Sequence, residues 1–187
     1  MSKELSLLKR QNTGVSVVGH TKQQPVNKIS HPCWRTIAIN TGLKTGRDFR
    51  IVLSQGMECG IGERASMLLD KIKIDPITIC RELRLAFVTP RSIGITKNER
   101  LTVIFQKALS LGFRLCPEET GPQLRRQYRD QRAGEFVLIG MKPILINQDQ
   151  ACTFSIERYS SGEFWLHTAS DSPDTLWYPN DPWIFLL

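Results

Sequence analysis

Apolar side chains recur at helical spacing in three stretches of the first two-thirds of the chain. Phe49, Val52 and Leu53 share a face behind Thr45-Gly46-Arg47-Asp48. In that capping pattern a hydroxyl and a carboxylate satisfy the first free N–H groups of a helix. Gly56 supplies the stop. A second helix, from about residue 62 to 72, carries Ala65, Leu68, Leu69 and Ile72 as its stripe. The third follows the capping box Thr96-Lys97-Asn98-Glu99, with Leu101, Ile104, Phe105, Ala108 and Leu111 repeating until Gly112. Between the second and third, residues 83–89 read as a strand closed by Pro90.

The pattern then shortens to strand-like runs at 136–141, 152–158, 164–168 and 183–187, with Ser160-Ser161-Gly162 as a hairpin turn. Residues 124–132 fit two readings. As a helix, begun by Pro122 and ended before Gly134, they put Arg125, Arg129 and Arg132 on one face. As a strand paired with 136–141, they alternate Leu124, Arg126 and Tyr128 with Arg125, Gln127 and Arg129. The strand is preferred, because the helical stripe would hold only Leu124 and Tyr128. The expected fold class is α+β: a helical N-terminal half packed on a small antiparallel sheet or meander formed by the C-terminal third. Residues 1–30 are polar and aperiodic and read as a flexible basic tail. A single domain is expected over 31–187, opening at His31-Pro32-Cys33-Trp34.

At 187 residues the chain buries enough surface to fold without disulfides or metal. Cys33, Cys59, Cys80, Cys116 and Cys152 are odd in number and lack zinc-ligand spacing, so they read as reduced thiols. Neither a membrane-spanning apolar run nor a signal-peptide pattern is present, and a cytoplasmic location is expected.

Charge changes the picture most. The net charge is +7, unevenly placed. Residues 1–132 carry 23 basic and 11 acidic side chains, whereas 133–187 carry two basic and seven acidic. Either the two regions attract each other within the molecule, or the basic one faces a phosphate-bearing or acidic partner. Lys44 and Arg47 flank a helix N-terminus in Thr41-Gly42-Leu43-Lys44-Thr45-Gly46-Arg47, which suits an anion, although the glycine spacing is not that of a P-loop. Arg125, Arg126 and Arg129, with Arg132 and Tyr128, form the densest cationic set, and arginine forks suit phosphates and carboxylates. The first two helices invite a helix-turn-helix reading, but a Gly-rich connection longer than that motif's turn argues against it. His31, Cys33 and His167 are the candidates for nucleophilic chemistry, which requires them to meet in space. Asp171, Asp174 and Asp181 lack the spacing of a calcium loop. Trp165, Trp177, Tyr178 and Trp183 read as core or as a partner patch.

Several phrases together carry a resemblance: Trp34-Arg35-Thr36-Ile37, Thr41-Gly42-Leu43-Lys44-Thr45, Asp48-Phe49-Arg50, Leu115-Cys116-Pro117-Glu118, Gly121-Pro122-Gln123-Leu124-Arg125, Gln127-Tyr128-Arg129-Asp130-Gln131 and Gly134-Glu135. Over residues 32–187 the chain resembles an uncharacterised family of bacterial proteins. The resemblance implies a bacterial source and a single domain, and carries no activity, cofactor or catalytic residue. The leading expectation is a non-enzymatic binding or regulatory module that engages an acidic protein or nucleic acid through a basic face. Lys44, Arg47, Arg125, Arg126 and Arg129 are its contact residues, and no cofactor or metal is expected. The alternative is a small enzyme acting on a phosphorylated or nucleotide substrate, with His31, Cys33 or His167 in its chemistry. A third reading docks the aromatic, acidic C-terminal end onto another protein.

Overall fold

Strands run through the whole described chain. The computed structural model describes residues 31–74, 79–172 and 174–187, and the expected basic tail lies outside them. The strands are β1 (Arg35–Ile39), β2 (Gly60–Ile61), β3 (Arg81–Val88), β4 (Phe136–Ile139), β5 (Ile144–Leu145), β6 (Ala151–Arg158), β7 (Phe164–Ser170) and β8 (Trp183–Leu186). They form one mixed sheet in the order β1-β3-β8-β4-β6-β7-β2, with β5 also on β6. The helices are α1 (Gly46–Met57), α2 (Glu63–Leu69), α3 (Leu101–Ser110) and α4 (Thr120–Gln127). No helix among the described residues is long and apolar enough to cross a membrane.

This overturns the expected helical half packed on a C-terminal meander. Three strands come from the first half of the chain. β8 lies between β3 and β4, antiparallel to the first and parallel to the second. Alternation identifies a strand but not its neighbour, and these partners lie far apart in sequence. The run Trp183-Ile184-Phe185-Leu186 is buried throughout, as befits a central strand covered on both faces.

Two cores account for that. On one face α1, α2 and α4 pack Phe49, Leu53, Leu68, Leu69 and Leu124 with Ile37, Leu85, Ile139, Phe154, Ile156, Leu166 and Ile184. On the other, α3 packs Leu101, Ile104, Phe105 and Ala108 with Val88, Leu138, Trp183 and Phe185. α1 starts as its cap predicts: Thr45 Oγ1 accepts from the Asp48 amide at 3.2 Å, and Asp48 Oδ2 accepts from the Thr45 amide at 2.9 Å. α3 starts at Leu101, behind Arg100, without a side-chain cap. The expected capping residue Glu99 instead exchanges two backbone hydrogen bonds with Trp177, which holds it extended. β2 pairs parallel with β7 between α1 and α2, so those two helices are not a helix-turn-helix.

Thr120–Gln127 is a helix, which corrects the strand expected over 124–132. It is anchored less by an apolar stripe than by buried polar side chains. Thr120, Gln123 and Arg125 are fully buried, and hydrogen bonds offset the cost of burying Gln123 and Arg125. The Gln127 amide accepts from Ala38 N and donates to Ala38 O, both at 2.8 Å. At Gly121 an added Cβ would lie 2.5 Å from Phe154 Cβ, so the helix rests almost directly on β6.

Candidate functional site

At one end of the sheet β1, β4 and β7 begin and β3 and β6 end. α4 delivers Tyr128 and the loop 129–135 to that end. On one flank the guanidiniums of Arg125, Arg158 and Arg129 lie 4.5, 4.8 and 5.6 Å from the centre of the Phe164 ring. Arg158 and Phe164 are direct partners across β6 and β7. Arg125 is fully buried. Its Nη1 donates to Gln131 Oε1 and, at 3.3 Å, to the Glu157 carbonyl, and its Nη2 donates to the Tyr128 carbonyl at 2.6 Å. Its Nε–H has no partner. Arg158 donates to the carbonyls of Gly162 and Gln131, and Arg129 is exposed. Among the described residues no carboxylate pairs with these three. Burial pushes the Arg125 pKa down to about 10, Cys59 opposes the shift, and Arg129 and Arg158 add to it. The group therefore remains cationic at neutral pH.

On the other flank a groove of about 420 Å³ is lined by Trp34, Phe87, Tyr128, Arg132 and Glu135. Trp34 meets Tyr128 edge-on at 5.1 Å and Phe87 at 5.9 Å with the rings tilted by 52°. Arg35 lies 4.2 Å over Tyr128 and 5.3 Å over Trp34. Its Nη2 donates to both Asp130 oxygens at 2.9 Å, which holds the Asp130 carboxyl below its ordinary range. Tyr128 Oη donates to the Glu135 carboxylate at 3.0 Å. Burial, then that hydrogen bond and the Glu135 charge, push the Tyr128 phenol up to about 12. Glu135 also accepts from the Arg132 amide at 3.0 Å. Phe87 is 41% exposed.

The five contact residues read from the sequence do not converge. Arg125 and Arg129 meet at Phe164. Arg126 turns away and donates to Thr41 Oγ1 at 2.9 Å. Lys44 and Arg47 are exposed at the start of α1, the length of β1 from this end. There the Asp48 carboxylate accepts from the Lys44 amide at 2.8 Å and sits where an incoming anion would bind. Sequence reading missed Arg35, Phe87, Arg158 and Phe164. The Ser160-Ser161-Gly162 turn held a signal for two of them, because a hairpin closed there sets Arg158 opposite Phe164.

The candidates for nucleophilic chemistry are scattered. Cys33 lies beside Arg84 of β3. His167 is on β7, four strands away, roughly 19 Å at ~4.8 Å per strand. The His31 ring packs on Phe113 at 4.4 Å. His167 is held by Tyr159 Oη at 3.0 Å and by a parallel stack on Trp165. It borders a cavity of about 510 Å³ with Glu63, Arg64, Ser155 and Glu157, on the part of the sheet that α3 leaves uncovered. Among the described residues no group of His, Cys, Asp or Glu could hold a metal ion. Trp183 is core, whereas Tyr178 is exposed. Compared with protein-family models, curated proteins and solved structures, the chain matches none.

Proposed function

We propose that the protein is a binding module that engages an anionic polymer through the arginine-rich end of its sheet. One observation carries the reading: five arginines, 35, 125, 129, 132 and 158, gather there, 129 and 132 are exposed, and among the described residues Arg35 alone of the five is salt-bridged. Among the described residues none of the seven acidic side chains of the last third forms a salt bridge with them. Glu135 engages a phenol and an amide, and Glu157 contributes only its carbonyl. Exposed Arg129 and Arg132 attract phosphates or carboxylates and release their counterions on contact. A cytoplasmic setting suits such a partner and the five free thiols.

The test is binding of polyphosphate and heparin by the full chain at ~50 mM salt, repeated at ~200 mM. Affinity should fall steeply with salt, and the double variant Arg129→Glu with Arg132→Glu should abolish it. Both residues are exposed, so the fold should survive. Binding that is absent at low salt, or indifferent to the double variant, sinks the proposal.

A further inference from the structure

We propose that the groove lined by Trp34, Phe87 and Tyr128 receives an unpaired base, so that the anionic polymer is single-stranded nucleic acid. This rests on the reading of the arginine surface and adds the class of polymer. The groove joins the arginine cluster through Tyr128, whose carbonyl holds Arg125 and whose phenol holds Glu135. A ligand lying across the loop 129–135 would meet cations and rings together.

Each element suits a base better than an alternative occupant. Trp34 and Phe87 form a tilted pair, and Phe87 remains exposed on the lining. Bases stack on such rings whatever their sequence. The volume of about 420 Å³ falls within the ~300–1,000 Å³ of small-molecule sites. Arg35 already lies over Tyr128 and Trp34, so a guanidinium plane adjoins the rings, and such planes also stack bases. An acidic peptide would satisfy the arginines and leave the rings unused. A duplex would present phosphates and keep its bases stacked inside. Exposed Phe87 near exposed Arg129 and Arg132 is a combination that reads unstacked bases and phosphates at once.

The experiment measures full-chain binding to a labelled single-stranded 12-mer of mixed sequence, to its duplex, to polyphosphate and to polyglutamate, at ~50 mM salt. Phe87→Ala should weaken the single strand by about 5- to 150-fold, the range for one stacked base, and leave polyphosphate unchanged. Phe87→Leu keeps apolar bulk without a π face and should lose most of the same affinity, which keeps the test valid if the alanine variant misfolds. Equal effects of these variants on both ligands, or none on either, overturn the base site while the arginine surface stands. Duplex bound as tightly as single strand does the same, as does polyglutamate bound in preference to the oligonucleotide. Failure of all four ligands to bind removes the arginine reading itself.

Discussion

Replacing Arg125 with methionine keeps most of the volume of the side chain and removes its five donors. Three acceptors then lose a partner: the Tyr128 carbonyl, the Glu157 carbonyl and Gln131 Oε1. A buried acceptor left unpaired costs about 1–3 kcal/mol. Against that sum, a guanidinium whose desolvation costs several kcal/mol is no longer buried. The net expectation is a loss of about 2–4 kcal/mol. For a domain of this size that lowers Tm by roughly 5–15 °C. Guanidinium denaturation, read as a midpoint shift at constant slope, measures the loss, and calorimetry checks it. Arg125→Lys should recover less than half, because one ammonium cannot span three acceptors set out for a planar fork. Exposed Arg129→Ala should change stability by less than about 0.5 kcal/mol. If Arg125→Met is as stable as the parent, Arg125 does not brace the end of α4, and its burial needs another cause.

Three further outcomes follow from the packing and the buried acids. Gly46→Ala should destabilise by about 1–3 kcal/mol, although helix propensity alone favours Ala by about 1 kcal/mol, because its Cβ would lie 1.9 Å from the Leu69 carbonyl oxygen; an equal or higher denaturation midpoint refutes the contact. A thiol reagent at pH 8 should find exposed Cys80 and half-buried Cys33 first. The Thr36 and Arg84 side chains outweigh the opposing effect of burial on Cys33 and hold its thiol below its ordinary value, whereas burial raises Cys59 to about 11 and Cys116 to about 12; fast labelling of Cys116 in the native state contradicts this. In an absorbance titration one of the three tyrosines should ionise near 12, and Glu135→Gln should bring it towards 10.0. Its folded value is raised, so its contribution to stability is complete below 10.0 and is lost as pH rises towards 12.

The legible parts of this fold are those decided by neighbours in sequence. Thr45 and Asp48 cap α1 because a cap needs only residues three apart. The Ser160-Ser161-Gly162 turn is legible for the same reason. β1 and β8 were harder. β8 pairs with β3 almost a hundred residues earlier, and no local pattern encodes that choice. α4 defeated the apolar count because Gln123, Arg125 and Gln127 are held by hydrogen bonds to groups distant in sequence. The arginine site was half legible. The density of Arg125 and Arg129 marked it, but Arg35, Arg158 and Phe164 reach it only through sheet register. Lys44 and Arg47, equally basic on paper, lie at the opposite end of β1.

The double hydrogen bond between Gln127 and Ala38 has a consequence for how the molecule behaves in a crowd. β1 is the outermost strand on its side of the sheet, and an outermost strand offers unpaired backbone groups to any extended chain that passes. The Gln127 amide fills one rung of that ladder, donor to acceptor and acceptor to donor. A second copy that sought to prolong the sheet at the middle of β1 would first have to unseat it. One side chain from α4 thus serves as a plug against edge-to-edge aggregation.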